Sequence, residues 1–203
     1  MIRMPRGRHP IHHAIIRLVT SAMLVVLAWG ATAARATMTV RLDLPQIVAA
    51  ADRAFVGRVV SVHSDRDQAG LPSTWVTFAV DQVIKGTVGS GLTIKQFGTT
   101  TPLSDGKIVH FAGLPTYTSG EEMVIFLSGE STAGFCSPIG LAQGKFPIVR
   151  RAGHAMMVGT AENLGVLHSM RRLQPTRTQL SGEIPLNTFL EQVAEILTQQ
   201  GHP

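Results

Sequence analysis

Between residues 54 and 158 apolar and polar positions alternate in short runs, whereas the last stretch of the chain repeats its apolar positions at helical spacing. Residues 54–63 (AFVGRVVSVH) are rich in β-branched side chains and predict a first strand, with Phe55, Gly57, Val59 and Ser61 facing away from Val56, Arg58, Val60 and Val62. Residues 74–84 predict a second strand that sets Trp75, Thr77, Ala79 and Asp81 against Val76, Phe78, Val80 and Gln82. Lys85-Gly86 turns the chain, and residues 92–97 (LTIKQF) predict a third strand. Residues 123–127 (MVIFL) are apolar throughout, the pattern of a central strand covered on both faces. Residues 145–150 and 155–158 read as a hairpin joined across residues 151–154.

Two helices frame the strands. Residues 43–51 suit a short one, with Asp43 as N-cap, Pro45 in the first turn and Leu44, Ile47 and Val48 on one face. Near the C-terminus, Leu186, Phe189, Leu190, Val193, Ile196 and Leu197 form the apolar stripe of an amphipathic helix over residues 185–200. Two connections remain. Residues 98–121 make a long one containing Gly, Pro and Thr, and residues 160–181 are polar and lack periodicity.

The N-terminus follows another logic. A basic stretch with Arg3, Arg6, Arg8 and Arg17 precedes an apolar run over residues 18–30 and then the small-residue sequence Ala34-Arg35-Ala36. This is the three-part form of a secretory signal peptide, and it places cleavage between Ala36 and Thr37. The expected product is periplasmic or extracellular. The competing reading is an uncleaved anchor over residues 15–34, just long enough to span a bilayer, which would make the protein an envelope component. Removing residues 1–36 changes the electrostatic picture. The whole chain carries +5, but five arginines and no acid lie in that segment, leaving 13 basic against 13 acidic residues. A neutral remainder argues against a nucleic-acid surface. The domain expected from these signals spans residues 37–203: a barrel over about 51–160, the irregular stretch 160–181, and the helix 185–200. The fold class is mainly β, a small barrel with a short N-terminal helix and an amphipathic C-terminal helix.

Three stretches carry a family resemblance. Ala51–Val59 (ADRAFVGRV), Val76–Gly86 (VTFAVDQVIKG) and Gly120–Leu127 (GEEMVIFL), followed by Gly144-Lys145-Phe146, resemble the OB-fold of the tissue inhibitors of metalloproteinases and netrin-type modules. The order looks closest to that of bacterial secreted proteins of this shape. The resemblance covers about residues 51–150 and implies an OB-like barrel and an inhibitor-like role toward an extracytoplasmic metalloprotease. Animal inhibitors of this family chelate the protease zinc through an N-terminal cysteine and are stapled by disulfides. Here the expected first residues are Thr37 and Met38, and Cys136 is the single cysteine. The fold therefore carries over better than the chelating mechanism.

Candidate chemistry is sparse. Cys136 with His110 or His154 would be the elements of a thiol-dependent hydrolase, but Phe135-Cys136-Ser137-Pro138 has no helix start to activate the thiol. The histidines after the leader, His63, His110, His154, His168 and His202, have no ligand spacing, so no metal and no cofactor are expected. Asp65, Asp67 and Gly70 resemble the start of a calcium loop without its closing glutamate. Glu121-Glu122 are neighbours on a strand and should face opposite ways. The long connection carries Phe111, Leu114 and Tyr117, apolar groups that suggest a contact surface for a protein partner, a protease among the candidates. The expected function is thus an exported protein-binding or inhibitor-like module without catalysis of its own.

The exported protein is expected to begin at Thr37. N-terminal sequencing of the protein recovered from the extracytoplasmic fraction checks this; recovery of an intact residue 1–36 segment in membranes would establish the anchor instead.

Overall fold

Met123–Leu127 is buried along its whole length, each residue 0% exposed. In a strand, successive side chains point to opposite faces, so a strand of this kind needs a core on each side. The computed structural model describes residues 40–167 and 183–201, and in it both cores are present. The protein is mainly β. Seven strands, β1 (Arg53–Arg66), β2 (Pro72–Lys85), β3 (Gly91–Phe97), β4 (Glu122–Leu127), β5 (Lys145–Arg151), β6 (His154–Val158) and β7 (Glu183–Pro185), form one antiparallel sheet in the order β3-β2-β1-β4-β5-β6-β7. A short helix α1 (Leu44–Ala50) precedes β1, and α2 (Leu186–Gln199) follows β7.

Val124 and Phe126 of β4 face the first core, with Val56 of β1, Phe146 of β5, Ile47 of α1 and Phe189 of α2. Met123, Ile125 and Leu127 face the second, with Phe55, Val76, Phe78 and Ile94 from β1, β2 and β3. The helices are set by their sequences. Asp43 accepts the Gln46 N–H at 2.9 Å, while the Gln46 side chain accepts the Asp43 N–H at 2.9 Å, a reciprocal cap that starts α1. At the other end, Lys85 Nζ donates to the carbonyls of Val48 (2.8 Å) and Ala49 (3.3 Å), satisfying acceptors that a helix terminus leaves open. Gly86 follows at φ +74°, where a Cβ would collide with the Asp52 carbonyl.

The expected barrel does not close. Among the described residues the sheet ends in two edge strands, β3 and β7, that do not pair with each other. Residues 135–139 run between β3 and β4 but make only isolated bridges, Lys95 with Phe135 and Leu127 with Pro138. The reason lies in β4, whose free edge is taken by β5 over Glu122–Ile125. Only its end remains, where Ile139 donates to the Phe126 carbonyl at 2.9 Å and Ser128 to the Ser137 carbonyl at 3.0 Å. Pro138 has no N–H to extend a ladder. The sheet is therefore open, and the OB-like geometry expected from the resemblance is not completed.

Two local departures have clear causes. The β1–β2 pairing is bulged with Asp81 the extra residue on β2 opposite Val56 and Gly57, and again with Val60 the extra residue on β1 between Val59 and Ser61. A Cβ on Gly57 would lie 2.5 Å from the Ala79 carbonyl, so the neighbouring strand approaches there as only glycine allows. The second bulge turns Val60 out to 54% exposure and shifts the inward set from Val59 to Val62. β7 is three residues long, too short for any periodicity to announce. In the stretch expected to be irregular, Asn163 is fully buried and donates to the Lys145 carbonyl at 2.7 Å, with Val166 and Leu167 in the first core; residues 168–181 of that stretch lie outside the described residues.

Phe189 is 0% exposed and lies 5.0 Å from the Phe146 ring and 6.4 Å from the Phe126 ring. Phe189→Ala is expected to cost about 3–5 kcal/mol through lost contact and a cavity, read as a lowered urea midpoint. An unchanged midpoint would show that α2 contributes nothing to the core.

Candidate functional site

The three apolar residues of the long connection do not share one surface. Tyr117 is 6% exposed and belongs to the second core, its ring edge-on to Phe78 at 5.8 Å and beneath Lys145 Nζ at 4.8 Å. Burial pushes its hydroxyl well above the usual tyrosine range, so it is neither a surface contact nor an acid at physiological pH. Leu114 is half-buried, with its N–H on the Phe111 carbonyl at 3.2 Å. Phe111 alone is exposed, at 52%, with Ile108 nearby in the chain at 57%. The sequence could not separate these residues, because a loop has no periodicity to assign inside and outside. The leader residues Ala34, Ala36 and Thr37 lie outside the described residues.

The connection is tied down along its length. Thr99 donates its N–H to the Val109 carbonyl, and Val109 donates to Thr99 Oγ1, both at 2.9 Å. The buried Gln96 side chain donates to the Pro115 carbonyl at 2.9 Å. Lys145 Nζ reaches the Thr116 carbonyl and Glu121 Oε1, both at 2.7 Å. Phe111 itself rests edge-on against Phe97 of β3, at 4.9 Å. An exposed aromatic is thereby presented from a fixed support.

A second feature was not visible from sequence. On the face of β1–β3 turned away from the second core, His63, Trp75 and Lys95 are direct cross-strand neighbours, and the Lys95 bridge continues the row to Phe135. His63 and Trp75 stack at 6.1 Å with 28° between their planes, and Lys95 Nζ lies 4.3 Å from the centre of the Phe135 ring. Phe135 also meets Phe97 edge-on at 5.5 Å, which links the row to Phe111. The adjoining row is Ser61, Thr77 and Thr93, with the two threonine hydroxyls 3.0 Å apart. Lys95 pairs with Asp67 at 3.0 Å, while Arg66 and Lys107 share Asp105 at 3.2 and 3.5 Å.

The remaining candidates have structural occupations. Asp67 Oδ1 accepts the N–H groups of Ala69 (3.0 Å) and Leu71 (2.9 Å), so the aspartates after β1 close a turn. Glu121 pairs with Lys145 and Glu122 with Arg150 (2.9 Å), on opposite sides of the strand as expected. Cys136 is buried, donates to the Ser128 carbonyl at 3.2 Å and has Arg53 Nη2 at 3.8 Å. Burial raises its thiol pKa despite that arginine, which disfavours the nucleophilic thiolate. His63, His110 and His154 fall on β1, the long connection and β6. Among the described residues no three His, Cys, Asp or Glu side chains group to hold a metal ion, and no helix is long and apolar enough to cross a membrane.

In comparisons with known proteins, no family model, curated protein or solved structure matches this chain.

The Lys95 hydrogen bond, followed by those from the turn N–H groups, holds the Asp67 carboxyl below the ordinary aspartate range. A lowered folded-state pKa contributes stability above the unfolded value, about 3.9, and loses it as pH falls through the folded one. Asp67→Asn is therefore expected to lower Tm most at neutral pH, with the gap from wild type closing on acidification below about pH 4. A gap that stays constant across a pH series would mean that the charge on Asp67 contributes nothing.

Proposed function

We propose that this protein is an exported binding module that engages a protein partner outside the cytoplasm, in the manner of an inhibitor, through the tip of the long connection. The observation that carries this reading is the exposure of Ile108 and Phe111, 57% and 52%, on a segment pinned to β3 and β5. A rigid aromatic held out in water loses little entropy on docking, and such anchors dominate binding energies. The leader pattern, ending at Ala36, supports the extracytoplasmic setting. The resemblance to metalloproteinase inhibitors supports a protease as the partner, without the chelating cysteine, since Cys136 sits inside the sheet. The raised thiol pKa and the scattered histidines favour a binding role over a thiol- or histidine-dependent hydrolase.

A photo-crosslinking residue at position 111, expressed in the source cell, is expected to give one discrete protein adduct in the extracytoplasmic fraction. Ile108→Asp should abolish it, and the same probe at the exposed Val83 should give none. Adducts of equal yield from both positions, or none from position 111, would reject this surface as the contact.

A further inference from the structure

We propose that the outer face of β1–β3 is a docking platform for a neutral polysaccharide chain, a role beyond the protein contact assigned to Phe111. Sugar rings are amphipathic: their C–H faces stack on aromatic rings, and their rims carry hydroxyls that donate and accept. The sheet offers both in adjacent rows. His63, Trp75, Lys95 and Phe135 make a row of three aromatic rings and one lysine, four backbone segments wide, roughly 14 Å at ordinary strand spacing. That is long enough for more than one sugar. Ser61, Thr77 and Thr93 make a purely hydroxyl row beside it, about 7 Å along the strands.

Charge decides the class of glycan. Lys95, the one charged residue of the two rows, is neutralised by Asp67 at 3.0 Å while its side chain lies over Phe135. The two rows themselves therefore carry no unpaired charge to favour an acidic chain; Arg58 lies beyond them, opposite Ala79. A neutral chain loses nothing to either sign. The helices cover Ala54, Val56 and Ile84, at the start of β1 and the end of β2, away from the His63–Trp75 pair. Trp75 and Phe135 remain half-buried and His63 exposed on this face.

Affinity electrophoresis of the folded protein through gels holding soluble β-glucan, xylan, galactomannan or the anionic alginate tests this. Retardation is expected in at least one neutral polysaccharide, insensitive to raised salt. Trp75→Ala should weaken it roughly tenfold or more, as removal of a central aromatic anchor does. Thr93→Val, which removes only a hydroxyl, should weaken it severalfold, and Trp75→Phe should keep part of it. Urea midpoints measured alongside identify any variant that has lost its fold, in which case Thr93→Val decides. Phe111→Ala should leave retardation unchanged, so that failure of the protein contact and failure of the platform read out separately. Absence of retardation by every neutral polysaccharide overturns the proposal. Retardation by alginate alone, or lost in salt, overturns it in favour of an acidic ligand. Self-association that Trp75→Ala abolishes, without glycan retardation, assigns the face to a second copy of the chain.

Discussion

The double-sided burial of β4 is the constraint on which the rest of the structure depends. Five consecutive apolar side chains at 0% exposure, each worth about 1.5–3 kcal/mol when buried, sum to the order of 10 kcal/mol. That is comparable with the whole net stability of a domain, about 5–15 kcal/mol. Such a strand is tolerable only if both its faces are covered. The first face is covered by α1 and α2, the second by the β1–β3 sheet folding over it with Tyr117 and Cys136 filling the interior. The long connection, the bulges between β1 and β2 and the short β7 all serve that arrangement.

Several residues singled out in the sequence hold this scaffold. Gly57 admits the close approach of β2, Lys85 closes the end of α1, and Gly86 makes the turn past Asp52. Glu121 and Lys145 join the end of the long connection to β5, with Lys145 spread over Tyr117. None of them forms a chemical centre. Such positions meet backbone and packing requirements, which by themselves carry no activity. Function then falls to what the scaffold leaves uncovered: the tip around Phe111 and the outer face of β1–β3.

Both surfaces share a physical logic. Aromatic side chains are left partly in water while their backs rest on fixed neighbours, Phe111 on Phe97, Phe97 on Phe135, and Phe135 under Lys95. Lys95, the cation set among these rings, is paired with Asp67 at 3.0 Å. Several polar groups inside bind backbone instead: the Gln96 amide N–H to Pro115, Asn163 to Lys145, Thr74 Oγ1 to the Gly98 carbonyl at 2.8 Å. Buried polar groups that bind backbone in this way specify one arrangement of the loops, because leaving any of them unpaired costs more than the bond gains.

Local physics was legible in the chain. The period-2 runs located β2, β3 and β5, the unbroken MVIFL run announced a strand covered on both faces, and Asp43 with Pro45 marked the start of α1. The stripe through Phe189 and Val193 announced the buried face of α2. These features depend on neighbours a few residues apart, and so the sequence alone carries them. Tertiary structure decided the rest. Whether the strands close depended on the competition of β5 and residues 137–139 for one edge of β4. Whether Tyr117 or Phe111 faced water depended on which of them reached the core beneath Lys145. The rows through Trp75 and Thr77 exist only because register brought four segments, distant in sequence, side by side. Register is a long-range property: a slip of one residue exchanges the faces of a strand, and the bulge at Val59–Ser61 makes such an exchange inside β1, where no alternation of residues could foretell it.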